Sequence, residues 1–309
     1  MLRAIGFTHL AVEGLNPADT GLPQRGYPIE ASGYYVGEPL YGEIVREALR
    51  LGYTVVAYEP ADAGQLTSQQ RETAQAQALQ RLLEVDPHAR MLVHAGYAHA
   101  DKFPGQLPLG TLPMAYELAR LSGIEPLSID QTILAHGDFL APDSPYRRLL
   151  STFPVEVPSV LVARTDGHPW SYRPQYNDAT VLLPAAAGAP LLRPTWLGLQ
   201  GRRRPVAIDA SACKGVFPCL FAARRASEGD DAVPADQFVL FTAGDANWPL
   251  YLAPGLYRLE VRGDSGQVLA THRRVVEAAP GLRAGAAGAT MALPLQTANR
   301  FAMPTEARK

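Results

Sequence analysis

At 309 residues the chain exceeds one ordinary core and suits two domains. Its apolar fraction of 47% and charged fraction of 19% are those of a soluble globular protein. A formal net charge of −2 gives no footprint for nucleic acid or an anionic membrane, and no apolar run is long enough to span a bilayer. The triplet Arg202-Arg203-Arg204 stands alone and reads as a solvated loop. Cys213 and Cys219 are either free thiols or one small-loop disulfide, with no further cysteine to complete a zinc set.

The first half alternates strands and helices. Phe7–Val12 reads as a strand ending at Glu13-Gly14, and a loop rich in Gly, Pro and Tyr follows through Tyr27, Tyr34 and Tyr35. A helix starts at Glu38-Pro39, with proline suited to the first helical position and Glu38 to the helix dipole. Leu40, Ile44, Val45, Ala48 and Leu51 keep helical spacing until Gly52 ends it. Tyr53–Tyr58 is the next strand and stops at Glu59-Pro60. The following helix opens with a Thr67-to-Gln70 capping box, and Arg71, Ala74, Ala78 and Leu82 are expected to share its buried face. Asp86-Pro87 stops that helix, and Arg90–His94 is the third strand. A helix near Met114–Leu121 and a short strand around Pro126–Ile129 complete the pattern. Such alternation predicts an α/β fold with a mostly parallel sheet flanked by helices, here assigned to residues 1–190.

From about Arg193 helical periodicity disappears. Tyr257, Leu259 and Val261 alternate with charged residues, and Gly263-Asp264-Ser265-Gly266 turns into Gln267–Val276, a hairpin with one wet face. With Pro205–Ile208, Cys219–Ala223 and Phe238–Phe241 it predicts a small sandwich-like β domain over 191–278. Residues 279–309, rich in Ala, Gly and Pro, read as a disordered tail.

In a parallel sheet all strands end at one edge, and ligands of open α/β sheets bind beyond it. Glu13, Glu59 and the Gly96–His99 turn each follow a strand, so they converge there. Arg71, in the first turn of its helix, lies over the same edge. Two carboxylates, an arginine and a histidine would surround one small site, with the arginine favouring the charged carboxylates. A neutral His99 would serve as general base or metal ligand. His94 reads instead as a buried strand histidine bonded to a neighbour. Glu59, before a proline, equally suits a helix cap, and the tyrosine loop 27–35 suits either a substrate lid or a cover for the core edge.

This order of a strand ending in Glu, an Arg-bearing helix and a strand running into Gly-x-x-His resembles the superfamily of erythromycin esterases, ChaN-like proteins, TraB and Tiki proteases. The segment His94-Ala95-Gly96-Tyr97-Ala98-His99 and the later Asp130-Gln131-Thr132 add to the likeness, which covers roughly residues 1–165. The resemblance implies a hydrolase of ester or amide bonds acting on a small-molecule or peptide substrate. Glu13, Arg71 and His99 match family positions, and Glu59 joins them as a catalytic candidate. In the metal-using branch, His99 and Glu13 would hold a divalent ion. Asp130 and Gln131 would support the site from behind.

The family also carries a first Gly-x-x-His on an earlier strand, for which this sequence has no room. Gly6-Phe7-Thr8-His9 fits by pattern, but His9 and Glu13 are separated by roughly 13 Å of strand at about 3.3 Å per residue. The sequence therefore predicts an N-terminal truncation that removes the central strand. An export signal, and with it a periplasmic or secreted location, would lie upstream; as it stands the chain reads as cytoplasmic. The alternative function is a non-catalytic haem- or ligand-binding protein of the ChaN-like kind. The sequence leaves the oligomeric state open.

Overall fold

The computed structural model describes residues 2–135, 141–185, 193 and 195–278. The predicted tail 279–309 lies outside them. The fold is mixed α/β. Strand β1 (Phe7–Val12) is the centre of a parallel three-stranded sheet, between β2 (Thr54–Ala57) and β3 (Arg90–His94). β1 is hydrogen-bonded on both sides, to β2 and to β3.

After β1 the loop carries a short helix, α1 (Leu22–Arg25). Helix α2 (Pro39–Arg50) then covers one face of the sheet, packing Val45 and Ala48 against Leu10 and Val12. Glu38 caps α2 by accepting a hydrogen bond from the Tyr41 amide at 2.9 Å. The other face takes α3 (Ser68–Val85) and α4 (Met114–Ser122), where Ala76, Leu79, Met114 and Leu118 pack on Ala11 and Tyr58.

The α3 capping box forms as the sequence predicts. Gln70 N donates to Thr67 Oγ1 at 3.3 Å, and Thr67 N donates to Gln70 Oε1 at 2.9 Å. Thr67→Ala is expected to cost about 1 kcal/mol, read from a shift in the urea midpoint at unchanged slope. The buried face of α3 differs from expectation: Glu72, Gln75, Ala76 and Leu79 point inward, while Arg71, Ala74, Ala78 and Leu82 are half-buried. The hydropathy pattern misleads because two of the inward residues are long and polar.

Beyond α4, β4 (Ile129–Asp130) pairs in parallel with β6 (Ala179–Leu182), which pairs antiparallel with β5 (Ser159–Val160). Helix α5 (Pro145–Thr152) lies between β4 and β5 in sequence, and its Tyr146 packs with Leu134 and Leu182.

The last part is antiparallel. β8 (Cys219–Arg225), β9 (Asp236–Leu240), β11 (Gly255–Gly263) and β12 (Val268–Val276) form a four-stranded sheet in the order β12-β11-β8-β9. β7 (Arg204–Val206) and β10 (Leu250–Leu252) form a separate pair. Val206, Leu250 and Leu252 share a core with Phe221, Tyr257 and Val261. Cys213 and Cys219 are joined in a buried disulfide, which selects one of the two sequence alternatives. In β11 the expected inward residues Tyr257 and Val261 are buried while Leu259 is half-buried like its charged neighbours, and in β12, an edge strand, Thr271–Val275 are all exposed.

Arg46 joins this part to the parallel-sheet part. Its Nε and Nη2 donate to the two oxygens of Glu228 at 2.9 and 2.7 Å, and Nη2 also reaches the Val233 carbonyl. Both side chains are buried. Arg225 pairs with Glu43 at 2.8 Å, and Val233 N donates to the Pro28 carbonyl at 3.0 Å.

Candidate functional site

Parallel pairing brings the ends of β1, β2 and β3 to one edge, and their next residues build the site. Glu13 follows β1 and is 3% exposed. Its amide donates to the His94 carbonyl at 3.1 Å, which ties the end of β1 to the end of β3. The Gly96 amide donates to Glu13 Oε2, and a Cβ on Gly96 would stand 3.1 Å from that oxygen. Glycine at 96 thus lets the turn after β3 close over the carboxylate.

Arg71 spans two strand ends. Its Nη2 donates to Glu13 Oε1 at 3.0 Å, and its Nε donates to Glu59 Oε1 at 2.5 Å. The other Glu59 oxygen accepts from the Gly14 amide at 3.1 Å, so this glutamate serves the edge rather than a helix cap. These contacts occupy two of the five arginine N–H groups.

His99 sits in a one-turn helix, Tyr97–Ala100, entered through Tyr97 at φ 45°. Its Nε2 lies 3.8 Å from Glu13 Oε1, and its Nδ1 lies 2.5 Å from Glu72 Oε1. Glu72 is 2% exposed, and its second oxygen accepts from the Met114 amide at 2.8 Å. The sequence reading did not single out Glu72. Its signal was an acid followed three, four and seven residues on by Gln75, Ala76 and Leu79, one inward line of α3.

Burial is the largest single influence on His99 and disfavours its cation. Glu72, by contact and charge, and then Glu13 outweigh it, while Arg71 opposes them, so the His99 pKa lies above the ordinary 6.5. Because the folded value is raised, the charged ring stabilises the fold fully below about pH 6.5. That contribution is lost as pH rises through the folded value. His94 works in the opposite sense, since burial lowers its pKa and holds it neutral. Subtracting the profile of a His99→Gln variant isolates the His99 part. The melting temperature of the parent should fall more than that of the variant as pH rises from about 6 upward.

His94 is a supporting residue, as its place in the strand predicts. Its Nδ1 lies 3.0 Å from Tyr41 Oη, and Tyr41 Oη donates to the Glu13 carbonyl at 2.9 Å. Burial and then Glu13 push the Tyr41 phenol far above its usual range, so it stays a donor. Asp130 folds back on its own turn, accepting from the Thr132 and Ile133 amides at 2.8 and 3.1 Å.

The edge opens into a cleft of about 520 Å3 lined by Gly14, Asn16, Tyr34, Tyr35, Glu59 and Arg71. Gly14 has φ 70°, and a Cβ there would meet the Tyr35 ring at 2.5 Å, so glycine lets this ring wall the cleft.

Glu13 and His99 do not fit a divalent cation. Both Glu13 oxygens are engaged, one of them by a guanidinium that would repel a metal ion, and His99 Nδ1 faces Glu72. Among the described residues no three His, Cys, Asp or Glu side chains are grouped to hold a metal.

Fold and site together define an α/β protein whose parallel strand ends gather a carboxylate–arginine–histidine cluster beside an open cleft. No protein-family model, curated protein or solved structure matches the chain. No helix among the described residues is long and apolar enough to cross a membrane.

Proposed function

We propose that the chain is a hydrolase of ester or amide bonds, similar in scheme to the erythromycin esterases and working without a metal. The observation that carries this reading is the placement of His99, with Glu72 behind Nδ1 and Nε2 turned toward Glu13 and the Arg71 edge. Glu72 orients the ring and strengthens it as a base. His99 Nε2 takes a proton from water as the water oxygen bonds to the substrate carbonyl carbon. Arg71 offers its remaining N–H groups to the oxyanion that develops. The tetrahedral intermediate then breaks its bond to the leaving alcohol or amine, which receives the proton from His99. Glu13 and Glu59 hold Arg71 in place. The antiparallel part, with its two sheets around one core, is read as a sandwich-like accessory domain.

The test is a screen of carboxylic esters and amides, followed by the pH profile of kcat/KM on the best substrate. Activity should rise on the alkaline side of the ordinary imidazole range, because His99 must be neutral to act and its pKa is raised. Glu72→Gln should move that limb to lower pH while reducing the plateau. An unmoved limb would remove Glu72 and His99 from the mechanism. Ligand binding with no turnover of any substrate would favour the non-catalytic reading.

A further inference from the structure

The walls of the cleft say what kind of molecule it takes. Tyr34 and Tyr35 meet edge to face, with ring centroids 5.2 Å apart and planes at 77°. Both residues line the cleft, and Tyr34 is 88% exposed. Glu59 and Arg71 line the same cleft. Beside the cleft Arg71 pairs with Glu13 and Glu59, and Glu72 pairs with His99, so three carboxylates stand against one guanidinium and one imidazole. The formal balance therefore stays negative even when His99 is protonated. Two aromatic faces above a surplus of carboxylate attract organic cations, since the ring quadrupole and the carboxylates act in the same sense. A volume of about 520 Å3 suits a small molecule rather than a protein segment.

We infer that this cleft binds a small organic ammonium ion, with its alkylated nitrogen against Tyr34 and Tyr35 and Glu59 below. The inference deepens the hydrolase reading: it makes the substrate an amine-bearing ester or amide and rests on that reading for the role of the cleft. Anionic substrates are disfavoured because, among the described residues of this edge, Glu13, Glu59 and Glu72 outnumber Arg71 and His99.

Three probes of one shape test it by calorimetry on the full chain: choline, its uncharged carbon isostere dimethylbutanol, and dimethylbutanoate. Choline should bind about tenfold more tightly than the alcohol, and the carboxylate more weakly than either. Added salt should weaken choline alone. Tyr34 is on the surface, so its variants fold: Tyr34→Leu should weaken choline about fivefold, and Tyr34→Phe should retain binding. Equal affinity for the three probes, preference for the carboxylate, or no binding of choline would overturn the inference. The outcome is separate from turnover. Choline binding in a protein that hydrolyses nothing would end the hydrolase reading and keep this one; hydrolysis without charge preference would do the reverse.

Discussion

Replacing His99 by glutamine is expected to lower kcat/KM on an accepted ester by about 10²–10⁴-fold, the usual loss when a general base is removed. Glutamine is the informative substitution because its amide can still donate to Glu72, so that buried acid is not stranded. Alanine would leave Glu72, 2% exposed, without the partner 2.5 Å away, and would mix loss of chemistry with loss of stability. Kinetics should therefore be read beside thermal unfolding at a pH below about 6.5, where the parent retains the full His99 contribution. If kcat/KM of the variant stays within about threefold of the parent, His99 is not the base.

Arg46→Ala is expected to destabilise the chain by about 3–5 kcal/mol in denaturant titration. The guanidinium makes a two-pronged contact with Glu228 and reaches the Val233 carbonyl, all out of water. Removing it leaves the buried Glu228 carboxylate facing the more distant Arg225 Nε, 3.8 Å away, and that loss costs more than the pair itself contributes. The paired replacement Arg46→Met with Glu228→Met should recover most of the loss, because two apolar chains of similar length need no partner. An Arg46→Ala change of under about 1 kcal/mol would mean that water reaches Glu228 and the junction is wet.

Much of the frame was legible in the sequence. β1 and β3 begin and end at the predicted residues, because each is a short apolar run closed by a turn residue. The α3 start was legible from its capping box. The convergence of Glu13, Glu59, Arg71 and the Gly96–His99 turn follows from the parallel arrangement alone. What escaped was decided by tertiary partners. Glu72 and Gln75 look like solvent residues of a polar helix, yet they face inward, and Glu72 meets His99 and the Met114 amide there. Pairing of β4, β5 and β6 was also out of reach, since strands of two to four residues carry too little pattern. The metal ligands that the family likeness suggested are spent on one another's neighbours.

Helix α2 touches both halves of the molecule. Tyr41, near its start, fixes the carbonyl of Glu13, and five residues later Arg46 grips Glu228. Those two contacts are separated by about 7.5 Å of helix rise. The β-rich part is therefore no pendant that could drift while the strand ends keep their geometry. A sideways shift of α2 against Glu228 moves the backbone of Glu13 with it, and drift at position 46 or 228 should surface as altered chemistry far from either residue.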